Sequence, residues 1–327
     1  MNIPKEIIEK LKPPYIVELD NFIEKEIDGI FKVKSKKLQE TKDGKKFLLL
    51  TLEDRTGSVR AVDWYNAEKN DQLLQVGMII QVTGKVVYFE ERVQINIANS
   101  ESAVRKLSES EYEIERFVSK ISNIEDMFKE LLNMIKSVKD SDYRKLLEIF
   151  FVEDKSIAEV FKSAPAGMRI HHAYIGGLLE HSLNVAKMVD QICSIYDKLD
   201  RDLLVTGALL HDIGKIKEYT LSQRGIEVTT EGELIGHIII GIEYINQKAR
   251  GITYDKILKL KHLIASHHGE FEWGSPVVPK TPEALVLHFI ENMDSKLNRV
   301  FQIIDKEDDT KEWSEYDTNL NRRFLLK

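Results

Sequence analysis

Two periodicities divide this chain. In the N-terminal third apolar and polar positions alternate, whereas further on apolar positions recur at helical spacing. Residues 27–39 set Ile30, Lys32, Lys34 and Lys36 against Phe31, Val33 and Ser35, the pattern of a half-buried strand. Thr41-Lys42-Asp43-Gly44 supplies an Asp-Gly turn, which predicts a hairpin with a second strand over 47–52. Arg55-Thr56-Gly57 turns again. Residues 59–65 read as a third strand, 68–75 as a short helix before Gly77, and 78–89 and 93–98 as two more strands about the charged turn Glu90-Glu91-Arg92. From Glu101 to Glu115 the composition shifts to Ser, Glu and Lys without alternation. Ser122-Asn123-Ile124-Glu125 is a capping-box pattern, and Met127, Phe128, Leu131, Leu132 and Ile135 follow it on one helical face. Further helical stripes run through 143–152, 175–195, 203–210, 235–245, 257–264 and 284–304, with loops expected near 164–167, 223–232 and 270–282.

Five short antiparallel strands with a helix between the third and fourth is the plan of the OB-fold, a frequent binder of single-stranded nucleic acid. The expected architecture is multidomain: an all-β OB-fold barrel over 1–105, a linker and helical connector over 106–160, an all-α helical bundle over 161–310 and a tail over 311–327. A chain of 327 residues, 43% apolar and 31% charged, fits two domains with their own cores. The single cysteine, Cys193, excludes a disulfide framework and a thiolate zinc cluster. The longest apolar runs, such as 47–50 and 238–240, are too short to cross a bilayer, and the charged start of the chain has no apolar signal core. The expectation is a cytoplasmic protein with no membrane span.

Charge sharpens the picture of the barrel. Net charge is -7, but residues 1–105 carry 17 Lys+Arg against 17 Asp+Glu, and the remainder 30 against 37. Within the neutral part Lys32, Lys34, Lys36, Lys37, Lys42, Lys45 and Lys46 face only Glu40 and Asp43 in the local sequence, a basic stripe suited either to phosphates or to solvent. Trp64, Tyr65, Tyr88 and Phe89 offer rings on which bases can stack. Because neighbours on a strand face opposite ways, about half of these four are expected in the core. Trp64, Tyr88 and Phe89, with Lys42, Lys45 and Lys46, are the candidate binding residues of this part.

All nine histidines fall between His171 and His288. Their order, His181, His211-Asp212, His237, His267-His268 and then Asp294, reads as a divalent metal site, since imidazole and carboxylate together suit borderline ions. A carboxylate can bridge two ions where an imidazole nitrogen cannot, which makes Asp212 the natural bridge. Two such ions activate water and steady a departing oxygen, the chemistry of phosphodiester hydrolysis. Lys215, one helical turn beyond Asp212, is either a cation for the scissile phosphate or a solvated helix-end lysine. His171 and His172, two to three turns before His181 if helix is continuous, are candidate phosphate contacts with Arg169. His262 and His288, on apolar stripes, read as structural.

Leu209-Leu210-His211-Asp212-Ile213-Gly214-Lys215 closely resembles the HD superfamily of phosphohydrolases. The resemblance implies His181, His211, Asp212 and Asp294 as metal ligands, with His237 and His267 or His268 added in two-metal members. An OB-fold followed by an HD domain opening His171-His172-Ala173-Tyr174-Ile175-Gly176-Gly177-Leu178-Leu179-Glu180-His181 further resembles the YhaM-type 3'-to-5' exoribonucleases. That likeness implies a manganese-favouring enzyme with two ions, shortening single-stranded RNA to nucleoside 5'-monophosphates with some capacity for single-stranded DNA. A small-nucleotide phosphohydrolase and a single-strand-binding replication factor are the alternative readings. Trp313, Phe324, Leu325 and Leu326 suit either a contact between subunits of a homo-oligomer or docking of the tail onto its own domain.

Overall fold

Burial along β1 (Glu26–Glu40) follows the expected alternation: Ile27, Phe31 and Val33 point inward, while Lys34 is exposed. The coordinates are a computed structural model describing residues 13–168, 172–222, 225–305, 307 and 311–326. The chain divides into two units, Met1–Ser119 with Leu221–Gly225, and Lys120–Thr220 with Ile226–Lys327.

In the first unit β1 pairs antiparallel with β2 (Lys46–Asp54) and β2 with β3 (Gly57–Asp63). β3 meets β5 (Arg92–Ile97) in parallel, and β5 pairs with β4 (Ile79–Phe89). β4 returns to the first half of β1, so the five strands close into a barrel. Closure falls to β1 because it is long: a register shift between Val33 and Ser35 lets its two halves serve different neighbours. Phe31, Leu48, Leu50, Leu52, Val82 and Ile95 fill the interior. The helix α1 (Ala67–Leu73) lies in sequence between β3 and β4, as the pattern predicts. A sixth strand, β6 (Val104–Lys106), extends the edge of β4; at three residues it is too short for a period to reveal.

The second unit is a helical bundle. Its helices are α2 (Ile124–Ser137), α3 (Ser141–Glu148) continued by a π-turn Ile149–Glu153, α4 (Lys155–Ser163), α5 (Gly177–Ile195), α6 (Arg201–Leu210), α7 (Lys215–Glu218), α8 (Thr230–Lys248), α9 (Tyr254–Ser266) and α10 (Pro282–Ile304). The stretch 106–160 is divided between the units. Residues 106–119 group with the barrel, while Met127, Leu131, Tyr143, Leu146 and Phe150 join the bundle core, because their apolar faces find burial only there. α6 runs through the middle, every residue from Leu203 to Leu210 being buried, and delivers His211-Asp212 at its C-terminal end. Where a loop was expected near 223–232, β7 (Tyr219–Ser222) and β8 (Gly225–Val228) pair before α8 begins; residues 223 and 224 lie outside the described part. Among the described residues no helix is long and apolar enough to cross a membrane.

Candidate metal centre and nucleic-acid interface

Five histidines reach one place from four helices, and each is held by its inner ring nitrogen. His181, on α5, has Nδ1 at 2.7 Å from Asp294 Oδ2. At the end of α6, His211 Nδ1 donates to the Ala208 carbonyl over 2.8 Å. His237 Nδ1 lies 3.0 Å from Glu218 Oε1. At the end of α9, His267 Nδ1 donates to the Ile264 carbonyl over 2.8 Å and His268 Nδ1 to the Trp273 carbonyl over 2.9 Å. A carbonyl or carboxylate oxygen can only accept, so each Nδ1 carries a proton, and in a neutral ring the Nε2 then offers its lone pair.

Those lone pairs surround Asp212. Its Oδ2 is 3.6 Å from His181 Nε2 and 3.4 Å from His211 Nε2, while its Oδ1 is 3.5 Å from His237 Nε2 and 3.6 Å from His267 Nε2. His181 Nε2 and His211 Nε2 are 3.2 Å apart and share one proton at most when either ring is neutral. Asp212 Oδ1, His237 Nε2 and His267 Nε2 are buried without any hydrogen-bond partner. Orphaned acceptors in contact are costly unless a cation lies among them, so the donor set fits divalent metal. The sets His181, His211, Asp212 and His237, His267, His268 each bring ligand atoms within 4.8 Å of one another. Burial pushes the imidazoles of His181 and His268 down to about 4, His237 adding to the effect on His268, and holds His267 well below its ordinary value. Neutral imidazole is the ligating form. Burial opposes charge on Asp212, yet Lys215 and His211 hold its carboxyl well below the usual range.

Local backbone makes this convergence. A Cβ on Gly214 would stand 2.0 Å from the His237 carbonyl, so only glycine lets the turn after Asp212 lie against α8. α8 itself breaks at Gly236, at φ 70°, and the break lets the His237 N–H donate to Glu218 Oε1 over 3.1 Å. His288 Nδ1 donates to the His267 carbonyl over 2.9 Å, and His262 Nε2 accepts from the Lys280 N–H over 2.9 Å, so both act structurally.

Other expected residues fall less simply. Lys215 is buried, with Nζ 2.6 Å from Asp212 Oδ2, and is no solvated lysine. Asp294 Oδ2 is taken up by His181 and, at 2.8 Å, by His172 Nε2, which leaves Oδ1 for an ion. The expectation of His172 as a phosphate contact is corrected: it is buried, and its Nδ1 faces Glu180 Oε2 at 3.1 Å and the Tyr174 hydroxyl at 2.8 Å. The helix is not continuous from His172 to His181. The chain turns at Gly176, φ 89°, and folds back so that the His172 carbonyl crosses Gly177, where a Cβ would stand 2.0 Å away. Arg169 and His171 lie outside the described residues. Sequence reasoning missed Glu218, although Asp212, Lys215 and Glu218 at three-residue spacing were a legible helical face. It also missed Glu291, which lines a cavity of about 620 Å³ with Lys215, Tyr219, His237, His268 and Arg299. Burial pushes Glu291 up to about 7 against the pull of His211.

On the barrel, the basic stripe is partly neutralised by carboxylates distant in sequence. Lys32 and Lys34 lie 3.5 and 3.4 Å from Glu53, Lys36 2.9 Å from Asp71, and Lys46 pairs with Glu68. Among the described residues Lys42 and Lys45, at the hairpin tip, form no ion pair. Lys45 Nζ lies 5.9 Å from the Trp64 ring and 5.8 Å from the Tyr65 ring, all three lining a surface groove of about 660 Å³. Trp64 stacks on Phe47 at 4.7 Å and is half-buried, whereas Tyr65 is exposed. Tyr88 and Phe89 are exposed too, Tyr88 donating to Asp20 over 2.9 Å and Phe89 lying 5.5 Å from the Arg60 guanidinium. None of the four rings is in the core, because Trp64 and Tyr65 follow the end of β3 and Phe89 closes β4, where strand alternation no longer applies.

Comparisons with known proteins agree with both units. The HD domain family matches residues 178–308, the OB-fold nucleic acid binding domain family residues 32–101, and a family described as putative helicase residues 121–198. Among curated relatives, "3'-5' exoribonuclease YhaM" of Bacillus pumilus is 34% identical over 260 residues, covering 78% of this chain and 80% of its own. The protein of the same description from Bacillus subtilis is 32% identical over 286 residues, covering 86% and 88%. That of Listeria monocytogenes is 31% identical over 290 residues, covering 88% and 90%.

Proposed function

The chain belongs to the YhaM family of 3'-5' exoribonucleases, and from that membership we propose that it shortens single-stranded RNA from the 3' end, releasing nucleoside 5'-monophosphates, with single-stranded DNA as a lesser substrate. The observation that carries the reading is a buried aspartate whose unpartnered Oδ1 faces the unpartnered Nε2 atoms of His237 and His267, with the His181, His211 and His268 rings grouped beside them. We assign His181, His211, Asp212 and Oδ1 of Asp294 to one divalent ion, and Asp212, His237, His267 and His268 to a second. Manganese is favoured through the family resemblance. Bound ions of this kind supply Lewis acidity, which activates water and stabilises the departing oxygen.

The chain's own residues provide the rest. Lys215, buried at 2.6 Å from Asp212 Oδ2 and open to the cavity, offers a fixed cation to the phosphate as negative charge grows on it. Arg299 lines the same cavity, its guanidinium engaged by Asp317 at 2.6 Å. Glu218 fixes the tautomer and orientation of His237, and Asp294 does the same for His181. On the barrel, Lys45, Trp64 and Tyr65 hold the unpaired strand by stacking and charge, and Lys42 contributes charge alone.

A time course with manganese on 5'-labelled single-stranded RNA and on a 3'-tailed duplex beside it, resolved by length, tests this proposal. A descending ladder that stalls before a duplex and is absent with Asp212→Asn supports the reading. Intact RNA beside turnover of free nucleotides would replace it with a small-nucleotide phosphohydrolase.

A further inference from the structure

The last bundle helix carries an apolar stripe that its own unit leaves open. Leu285, Phe289, Met293, Leu297 and Phe301 recur every fourth residue along α10, each 42–60% exposed, and Ile304 at 37% continues the stripe. Trp273 and Phe271, at 52% and 66%, lie exposed on the loop before the helix, and Trp273, Leu285, Phe289, Met293 and Leu297 line a groove of about 760 Å³. Six side chains near half exposure offer roughly 500–600 Å², and the two loop aromatics about 200 Å² more. That total approaches the ~800 Å² each partner contributes to a stable interface, and it exceeds what isolated surface residues need explain. Among the described residues the chain's own tail does not cover the stripe. It is tied through Asp317 to Arg299 over 2.6 Å, and its Trp313, Tyr316 and Leu325 are themselves about half exposed.

We propose that this stripe is the interface between two copies of the chain, paired antiparallel about a two-fold axis at Met293. The order of side chains selects that occupant. Reversed upon itself about Met293, the stripe sets Leu285 against Phe301 of the second copy and Phe289 against its Leu297, so each aromatic ring meets a smaller aliphatic side chain. Antiparallel pairing opposes the helix dipoles and brings Lys280, before one helix, toward Asp305, after the other; parallel pairing would bring like charges together. Nucleic acid is the poorer occupant. The groove's charged lining is one cation, Lys296, which lies 5.6 Å from the Trp273 ring, against one carboxylate, Glu270.

Sedimentation of the full chain at micromolar concentration tests the pairing. The expected mass is that of two chains of 37.8 kDa, and Met293→Glu, at an exposed position, should weaken the dimer roughly 100-fold while leaving circular dichroism unchanged. A monomeric unmodified chain, or a variant that dimerises as tightly as the parent, overturns the proposal. The register has its own readout, taken in a Cys193→Ser background. Met293→Cys, on the axis, should cross-link to itself on oxidation and Leu285→Cys should not; the reverse result excludes the antiparallel pairing.

Discussion

In the proposed site Asp212 is the central residue, because its two oxygens face different groups of histidines. Asp212→Asn keeps the shape but removes the charge, and it should abolish RNA turnover and lower manganese affinity while RNA binding persists; isothermal titration and a filter-binding assay separate the two effects. Lys215→Met should reduce kcat by about 100-fold or more, since a positioned cation at the reacting phosphate is worth several kcal/mol, with smaller change in KM. Retained kcat would reduce Lys215 to a counter-charge for Asp212. The histidines give a pH prediction for the metal-free protein. His181 and His268, pushed down to about 4, take up protons in the unfolded chain before the folded one. The stability they contribute is therefore full above about pH 6.5 and lost as pH falls toward 4. His172 acts in the opposite sense: burial disfavours its charge, but Asp294 and Glu180 raise it overall. The comparison that isolates one group is His268→Asn, which should lessen the fall in melting temperature between about pH 6.5 and 4. An unchanged slope would count against the depressed His268.

At the scale of elements, the site depends on places where two backbones nearly touch. Gly214→Ala would drive a methyl group into the His237 carbonyl. It should destabilise the fold by about 2 kcal/mol or more and weaken metal binding even though no ligand is altered. Thermal unfolding and metal titration of that variant check the claim; wild-type values in both would mean the turn can shift freely. Helices α5, α6, α9 and α10 were legible from their apolar stripes, as was the alternation of β1. Three features were not. β6 is too short to show a period. The turn at Gly176 that returns His172 to Asp294 depends on positive φ, which the apolar pattern does not encode. The exposure of Tyr65 and Phe89 follows from where strands stop, and a two-residue period says nothing about its own end.

At the scale of the molecule, the proposed function assigns the two units different tasks. If the barrel supplies grip and the bundle supplies cleavage, substituting Lys42, Lys45 and Tyr65 together by Ala should raise KM for long single strands by about 10-fold or more and flatten its salt dependence. Turnover of a dinucleotide should not change, and equal losses on both substrates would show that these residues support the fold instead. Lys46 is the weaker choice for such a test, since Glu68 already engages it.

The sequence by itself determined the two periodicities, hence barrel and bundle, and the ordered histidines and aspartates, hence the metal chemistry. These are properties of local spacing and residue type. Tertiary structure decided which lysines are neutralised by distant carboxylates, that Lys215 is buried beside Asp212, and that His172 supports Asp294 rather than meeting substrate. Each of those outcomes turns on residues far apart in the chain, and charge, burial and hydrogen bonding act through space.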